Sequence, residues 1–195
     1  MQLNNIKIIT YNTFMKIGGY LILIFSCISF LLSFHKLFDS FTHPIRYENE
    51  IAFYSEKYKI SPSCVASVIN VESSYNANAK SKKNAIGLMQ IKLSTANYLC
   101  EIYNENFITE TDLFSPEINI KFGCLYLKYL LGKFSNLNTV LACYNAGETR
   151  VRSWLKSSYS KDGKTLDFIP FIETKNYVLK INKNIKFYSK IYKNP

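Results

Sequence analysis

The stretch Ser61-Pro62-Ser63-Cys64-Val65-Ala66-Ser67-Val68-Ile69-Asn70-Val71-Glu72 decides how this chain is read. It opens with a Ser suited to a helix cap and a Pro suited to the first helical position. Val65, Val68 and Ile69 then recur at helical spacing, and Glu72 is the next residue on that stripe. A carboxyl group on an apolar stripe loses solvation, so its pKa rises and it can hold a proton near neutral pH. A protonated Glu can act as a general acid. The other reading of the same pattern is a Glu at a helix end, tipped out to solvent.

Helical patterning extends to both sides. Residues 47–58 can form an amphipathic helix, and residues 75–84 are polar and read as a loop. Gly87-Leu88-Met89-Gln90-Ile91 is a short apolar element, followed by a helical pattern from Ser94 to about Glu105. Ser115-Pro116-Glu117 is a strong helix start, with a cap, a Pro and an acid in the first turn. That helix runs to about Phe134, with Phe122, Leu125, Tyr129 and Phe134 toward the core. Asn138 to Asn145 forms another helix, and Gly147 suits its C-terminal cap. Residues 156–168 read as a polar loop. From Phe171 the chain is helical again, with Ile181, Ile185, Tyr188 and Tyr192 in one stripe. No internal repeat and no run of alternating strands is present, so the fold class is mainly α.

Composition narrows the function. At 195 residues the chain supports one domain of ordinary size plus an appendage. Apolar residues make up 48% and the formal charge is +10, which argues against disorder and fits an anionic polymer or membrane surface as neighbour. Six lysines and no acid follow Glu173. This is an ordinary solvated helix face or an attraction to an anionic polymer or lipid headgroups. Lys dominates over Arg and no nucleic-acid motif is found, so nucleic acid is not an expected partner.

The N-terminus carries a membrane signal. Residues 17–34 (IGGYLILIFSCISFLLSF) contain no charge, and Lys7 and Lys16 precede them. The run is long enough to span a bilayer, longer than a usual signal-peptide core, and lacks a clear small-x-small site after it. The expected organisation is a short segment 1–16, a signal anchor 17–34, a linker 35–46 and a catalytic domain 47–195, with a cleaved signal as the alternative. Cys27 lies in the apolar run. Cys64, Cys100, Cys124 and Cys143 form one or two disulfides in an exported domain, or remain buried thiols. No Cys/His cluster has zinc spacing, and neither a metal site nor a cofactor is expected.

Four blocks then fall in order. Glu72-Ser73-Ser74-Tyr75-Asn76, Ser81, Gly87-Leu88-Met89-Gln90-Ile91 and Thr95-Ala96 resemble the active-site segment of soluble lytic transglycosylases. Ser115-Pro116-Glu117-Ile118-Asn119-Ile120 with Gly123 and Tyr126-Leu127 resembles the helix that follows. Ala142-Cys143-Tyr144-Asn145-Ala146-Gly147, then Val151 and Trp154, resembles the Tyr-Asn-Ala-Gly motif, and Ile169-Pro170-Phe171-Ile172-Glu173-Thr174 with Tyr177-Val178 resembles the last block. Together they span roughly residues 50–192. Three positions depart from the pattern: Ala77 and Leu93 where Pro is usual, and Asn84 where Gly is common. These changes alter loop freedom more than chemistry.

The resemblance implies a lysozyme-like helical domain with a substrate groove, related to goose-type lysozymes, behind one N-terminal membrane-spanning or signal helix. It implies cleavage of the bond between N-acetylmuramic acid and N-acetylglucosamine, with 1,6-anhydromuramic ends as product. Glu72 would be the general acid and then the base. Ser81 and Gln90 would hydrogen-bond substrate, Met89 would form an apolar wall, Tyr144 and Asn145 would orient the acid and the substrate's acetamido group, and Glu173 would contact substrate or orient the site. Ordinary glycosidases need two carboxylates, and the substrate-assisted exception fits a chain whose acids nearest after Glu72, Glu101 and Glu105, read as surface. Expected partners are peptidoglycan strands, the membrane through the N-terminal helix, and a cell-envelope or secretion-apparatus protein. The competing readings are a peptidoglycan-binding assembly module that keeps the groove without activity, and a lysozyme-type hydrolase.

Overall fold

Length and uninterrupted apolar patterning set the first element. In the computed structural model, α1 runs over Gln2–Thr42. The structure describes residues 2–192; Met1 and residues 193–195 lie outside the described residues, as do the side chains of residues 2–17, 36, 40 and 41. The expectations placed on Met1, on the side chains of Lys7, Lys16 and Ile17, and on the last three residues of the 47–195 domain therefore fall outside it. Within α1, Gly18–Asp39 is 22 residues of mean hydropathy 2.0, long and apolar enough to cross a membrane. Its apolar side chains are exposed, Phe25 at 75% and Ile22 at 71%, so it is not a buried core helix. The helix also runs through residues 35–42, which the sequence reading assigns to a linker. No Gly or Pro lies between Gly19 and Pro44, and the helix ends just before that proline.

The chain divides into two units, Met1–Pro44 and Ile45–Pro195. In the second unit α2 (Glu48–Tyr58) opens with Glu48 and Glu50 in its first turn and buries Ile51, Tyr54 and Tyr58. α3 (Pro62–Ser73) starts at the proline as expected. Ser61 holds the cap position without capping; its hydroxyl pairs with Ser63 Oγ at 2.8 Å. A small antiparallel hairpin follows, β1 (Ala85–Ile86) and β2 (Ile91–Lys92), with Ala85 opposite Lys92 and Ile86 opposite Ile91. α4 (Leu93–Tyr103) begins at Leu93, the first-turn position that a proline would also suit.

The centre of the domain is α5 (Pro116–Lys133), which packs against α2, α4 and α6 (Leu137–Ala146). It buries Ile120, Phe122, Cys124, Leu125, Leu127 and Leu130, each large aliphatic side chain contributing about 1.5–3 kcal/mol relative to exposure. Gly123 is part of this fit: a side chain there would collide with the thioether of Met89. α7 (Glu148–Leu155) was not anticipated as a separate helix. It starts at once after Gly147 (φ 90), buries Val151, Trp154 and Leu155, and is tied by an Arg152–Glu148 pair at 2.7 Å. α8 (Ile172–Tyr188) lies against α3 and α6 and buries Tyr177, Val178, Ile181 and Tyr188. Cys64, Cys100, Cys124 and Cys143 are buried free thiols, so the disulfide alternative does not hold.

Candidate active site

Glu72 sits one residue before the end of α3. Val65, Val68 and Ile69 on the same stripe have no exposed surface. The residue as a whole keeps some exposure, while its carboxyl is enclosed, and burial raises its pKa to about 7. The solvent-facing alternative does not hold. The hydroxyl of Tyr177, on α8, donates to Glu72 Oε1 at 2.7 Å and pulls the pKa the other way. The C-terminal end of a helix is also the wrong end for a negative charge. Below neutral pH the side chain therefore holds its proton.

Tyr144 comes from the end of α6, where its hydroxyl donates to the carbonyl of Met89 at 2.8 Å. Burial, then the Glu72 charge, raise the pKa of both Tyr144 and Tyr177, which places the three side chains in one cluster. Asn145 follows Tyr144 and accepts from Thr174 Oγ1 at 2.8 Å. With Oδ1 occupied, Asn145 presents its amide N–H groups.

Gln90 stands at φ 51. Its Nε2 donates to the carbonyls of Ala79 at 3.2 Å and Gly87 at 2.9 Å, which leaves its side-chain oxygen as acceptor. Ser81 Oγ accepts from the backbone N–H of Ala85 at 3.0 Å and of Lys83 at 3.3 Å, so its remaining function is as an O–H donor. Asn84, where Gly is common, sits at φ 56, a region Asn tolerates better than most residues. Beside that cluster of Glu72, Tyr144 and Tyr177, Ser81 offers a hydroxyl donor, Gln90 an amide acceptor and Asn145 an amide donor.

One predicted residue is placed differently. Met89 has no exposed surface and its side chain packs against Gly123. It is a core residue whose carbonyl anchors Tyr144, and no side-chain wall toward substrate is available from it. Glu173 is exposed in the first turn of α8, beside Thr174, where the helix dipole favours an acid. Of the other acids, Glu105 pairs with Lys121 at 2.6 Å, and Glu148 with Lys133 and Arg152. Among the described residues no group of acids, His and Cys could hold a metal ion.

Sequence reasoning gave no role to Tyr177, Thr174 or Asn119. Asn119, fully buried on α5, accepts from Met89 N–H at 2.7 Å and donates to the carbonyls of Ile86 at 2.8 Å and Leu113 at 2.7 Å. The signal for Tyr177 was a polar atom on a helix face otherwise built to be buried. Replacing Tyr177 by Phe keeps the volume and removes the one bond that lowers the Glu72 pKa. The basic limb of activity in Tyr177→Phe should therefore move to higher pH, measured as kcat/KM from pH 5 to 9. An unmoved limb would mean that Tyr177 is only packing.

A family model described as the transglycosylase SLT domain matches residues 49–166. The soluble lytic murein transglycosylase of Salmonella typhimurium is 34% identical over 165 residues, covering 81% of this chain and 25% of that protein. The membrane-bound lytic murein transglycosylase E of Buchnera aphidicola is 33% identical, covering 70% of this chain and 64% of the relative. Among solved structures, the 70 kDa soluble lytic transglycosylase of Escherichia coli superposes with a TM-score of 0.71 at 29% identity, covering 82% of this chain and 27% of that one; the enzyme has also been solved in complex with bulgecin A. The chain spans about a quarter of the length of the first of these relatives. Relatives thus include soluble and membrane-bound proteins. With the family model covering more than half of it and a shared fold behind the match, the chain belongs to the transglycosylase SLT domain family.

Proposed function

We propose that this chain is a peptidoglycan lytic transglycosylase that cleaves the β-1,4 bond between N-acetylmuramic acid and N-acetylglucosamine. The observation that carries the reading is a single enclosed Glu72 carboxyl with a pKa of about 7. In the first step Glu72 gives its proton to the glycosidic oxygen as the bond to the anomeric carbon breaks. The muramic acetamido oxygen donates a lone pair to that carbon in place of the second carboxylate of ordinary glycosidases, and the bond it makes there breaks when the next nucleophile attacks. In the second step the muramic 6-hydroxyl attacks the anomeric carbon and its proton passes to Glu72. A 1,6-anhydro ring forms, Glu72 is reprotonated, and no water is consumed. Ser81, Gln90, Asn145 and Glu173 contact substrate, while Tyr144 and Tyr177 hold the acid's surroundings.

The proposed setting is the cell envelope. α1 anchors the protein in the inner membrane, and the domain from residue 47 works on glycan in the periplasm, alone or beside a secretion apparatus. Digestion of purified peptidoglycan by the full chain in detergent should release muropeptides with anhydro ends. Mass spectrometry separates these from reducing ends, which are heavier by one water. Reducing ends would replace the reading by that of a hydrolase, and no fragments at all would leave a binding module.

A further inference from the structure

The ribbon that carries Ser81 also carries three lysines that the reaction does not use. Ser81 N–H donates to the carbonyl of Ala85 at 2.9 Å, and Ala85 N–H returns to Ser81 Oγ at 3.0 Å. Ala85 is in turn the register partner of Lys92. Ser81, Ala85 and Lys92 therefore form one row across the ribbon. With neighbouring strands about 4.8 Å apart, the backbone of Lys92 lies about 10 Å from that of Ser81, a distance that about three extended residues of a peptide stem can cross. Residues directly opposite share a face. Ile86 and Ile91, one position along, are buried on the other face, so the Ser81 row looks away from the core, and Lys92 is exposed. The turn closed by Asn84 N–H on the Ser81 carbonyl at 3.0 Å puts Lys82 and Lys83 at its tip, both exposed.

Neighbouring Lys80 is neutralised by Glu110 at 2.5 Å. The ion pairs among the described residues involve His35, Lys80, Lys121, Lys133 and Arg152, and none of these three lysines. Three uncompensated cations beside a substrate-binding hydroxyl repel one another and attract an anion arriving with the substrate. The sugar backbone of peptidoglycan is uncharged once the muramic lactyl group is in amide linkage. The carboxylates within reach are those of the peptide stem.

We propose that Lys92, with Lys82 and Lys83, reads the carboxylates of the peptide stem on the strand held at Ser81. The inference rests on the peptidoglycan reading above and names the part of the substrate that the site prefers. It is tested by binding without turnover, with the full chain carrying Glu72→Gln in detergent. Intact glycan strands and strands stripped of stems by an amidase are compared by sedimentation at low and high salt. Exposed ion pairs are weak, so the three lysines together should favour intact strands by about tenfold at low salt, and less as salt rises. Adding Lys82→Gln, Lys83→Gln and Lys92→Gln should cut that preference to about twofold or less, whereas Lys92→Arg alone should keep it. Equal binding of intact and stripped strands by the parent overturns the proposal and leaves the glycan site standing. A preference that survives the triple substitution overturns it as well, because the charge is then read elsewhere. Failure of the peptidoglycan reading shows separately, as binding to neither strand and no anhydro ends from the wild type.

Discussion

Glu72→Gln should lower turnover of peptidoglycan by about a thousandfold or more, because in the proposed reaction one side chain supplies both the acid and the base. The same substitution should raise thermal stability, and the gain should depend on pH. The folded-state pKa is about 7, above the unfolded value of about 4.3. The folded chain therefore holds the proton more tightly than the unfolded chain. The stability that goes with it is full below the unfolded pKa and is lost as pH rises through the folded one. At pH 8 the wild type carries an enclosed negative charge that Gln does not. The shift corresponds to at most about 4 kcal/mol, so the variant should melt about 5–10 °C higher than wild type at pH 8, with that advantage mostly gone at pH 5. Differential scanning fluorimetry at the two pH values reads the effect. An equal difference at both would place the carboxyl in water and remove the basis for its role as acid.

That prediction starts from a feature legible in the sequence. Val65, Val68, Ile69 and Glu72 share a stripe because 3.6 residues make a helical turn, and the structure buries that stripe. The same logic located α5 from Ser115-Pro116 and most of α8 from Ile181, Ile185 and Tyr188. In both Ser-Pro starts the proline marked the helix, while the serine makes no side-chain cap bond. The order of the four blocks carried the family, and its model matches residues 49–166, which hold the first three of them.

What the sequence hid is what tertiary contact alone creates. Tyr177 meets Glu72 across 105 positions, and periodicity sees only neighbours along one helix. Two strands of two residues each are too short to show alternation, so the sequence shows only the apolar element Gly87–Ile91, which is the turn between β1 and β2 and the first residue of β2. α7 is eight residues long and follows α6 with only Gly147 between them, so its start was masked by the end of the previous helix. The family resemblance implied a wall of the site at Met89. The hairpin turns its side chain inward and leaves only its carbonyl on the active side.

Asn119→Ala should be the most damaging single change outside the reacting groups. The side chain is enclosed and makes three hydrogen bonds, all to backbone: Met89 N–H, Ile86 C=O and Leu113 C=O. Removing it leaves three buried backbone groups without these partners, each costing about 1–3 kcal/mol. Relaxation recovers part of this, so the expected loss is about 3–5 kcal/mol, or roughly 10 °C in melting temperature. The hairpin backbone packs directly on that amide, so its removal leaves a gap as well as unpaired groups. Gly87, at φ 74, lies so close to the Asn119 amide and the Leu113 carbonyl that even a methyl group there would collide with them. The consequence reaches the chemistry by a short path: Asn119 holds Met89 N–H, and Met89 C=O holds Tyr144 beside Glu72. Activity in the surviving folded fraction should therefore fall by about tenfold or more at 20 °C. Asn119→Asp offers a control, since it keeps the acceptor for Met89 N–H but loses both donors and buries a charge. It should not restore stability. If Asn119→Ala melts within about 2 °C of wild type and keeps its kcat/KM, the turn is held by something other than this amide.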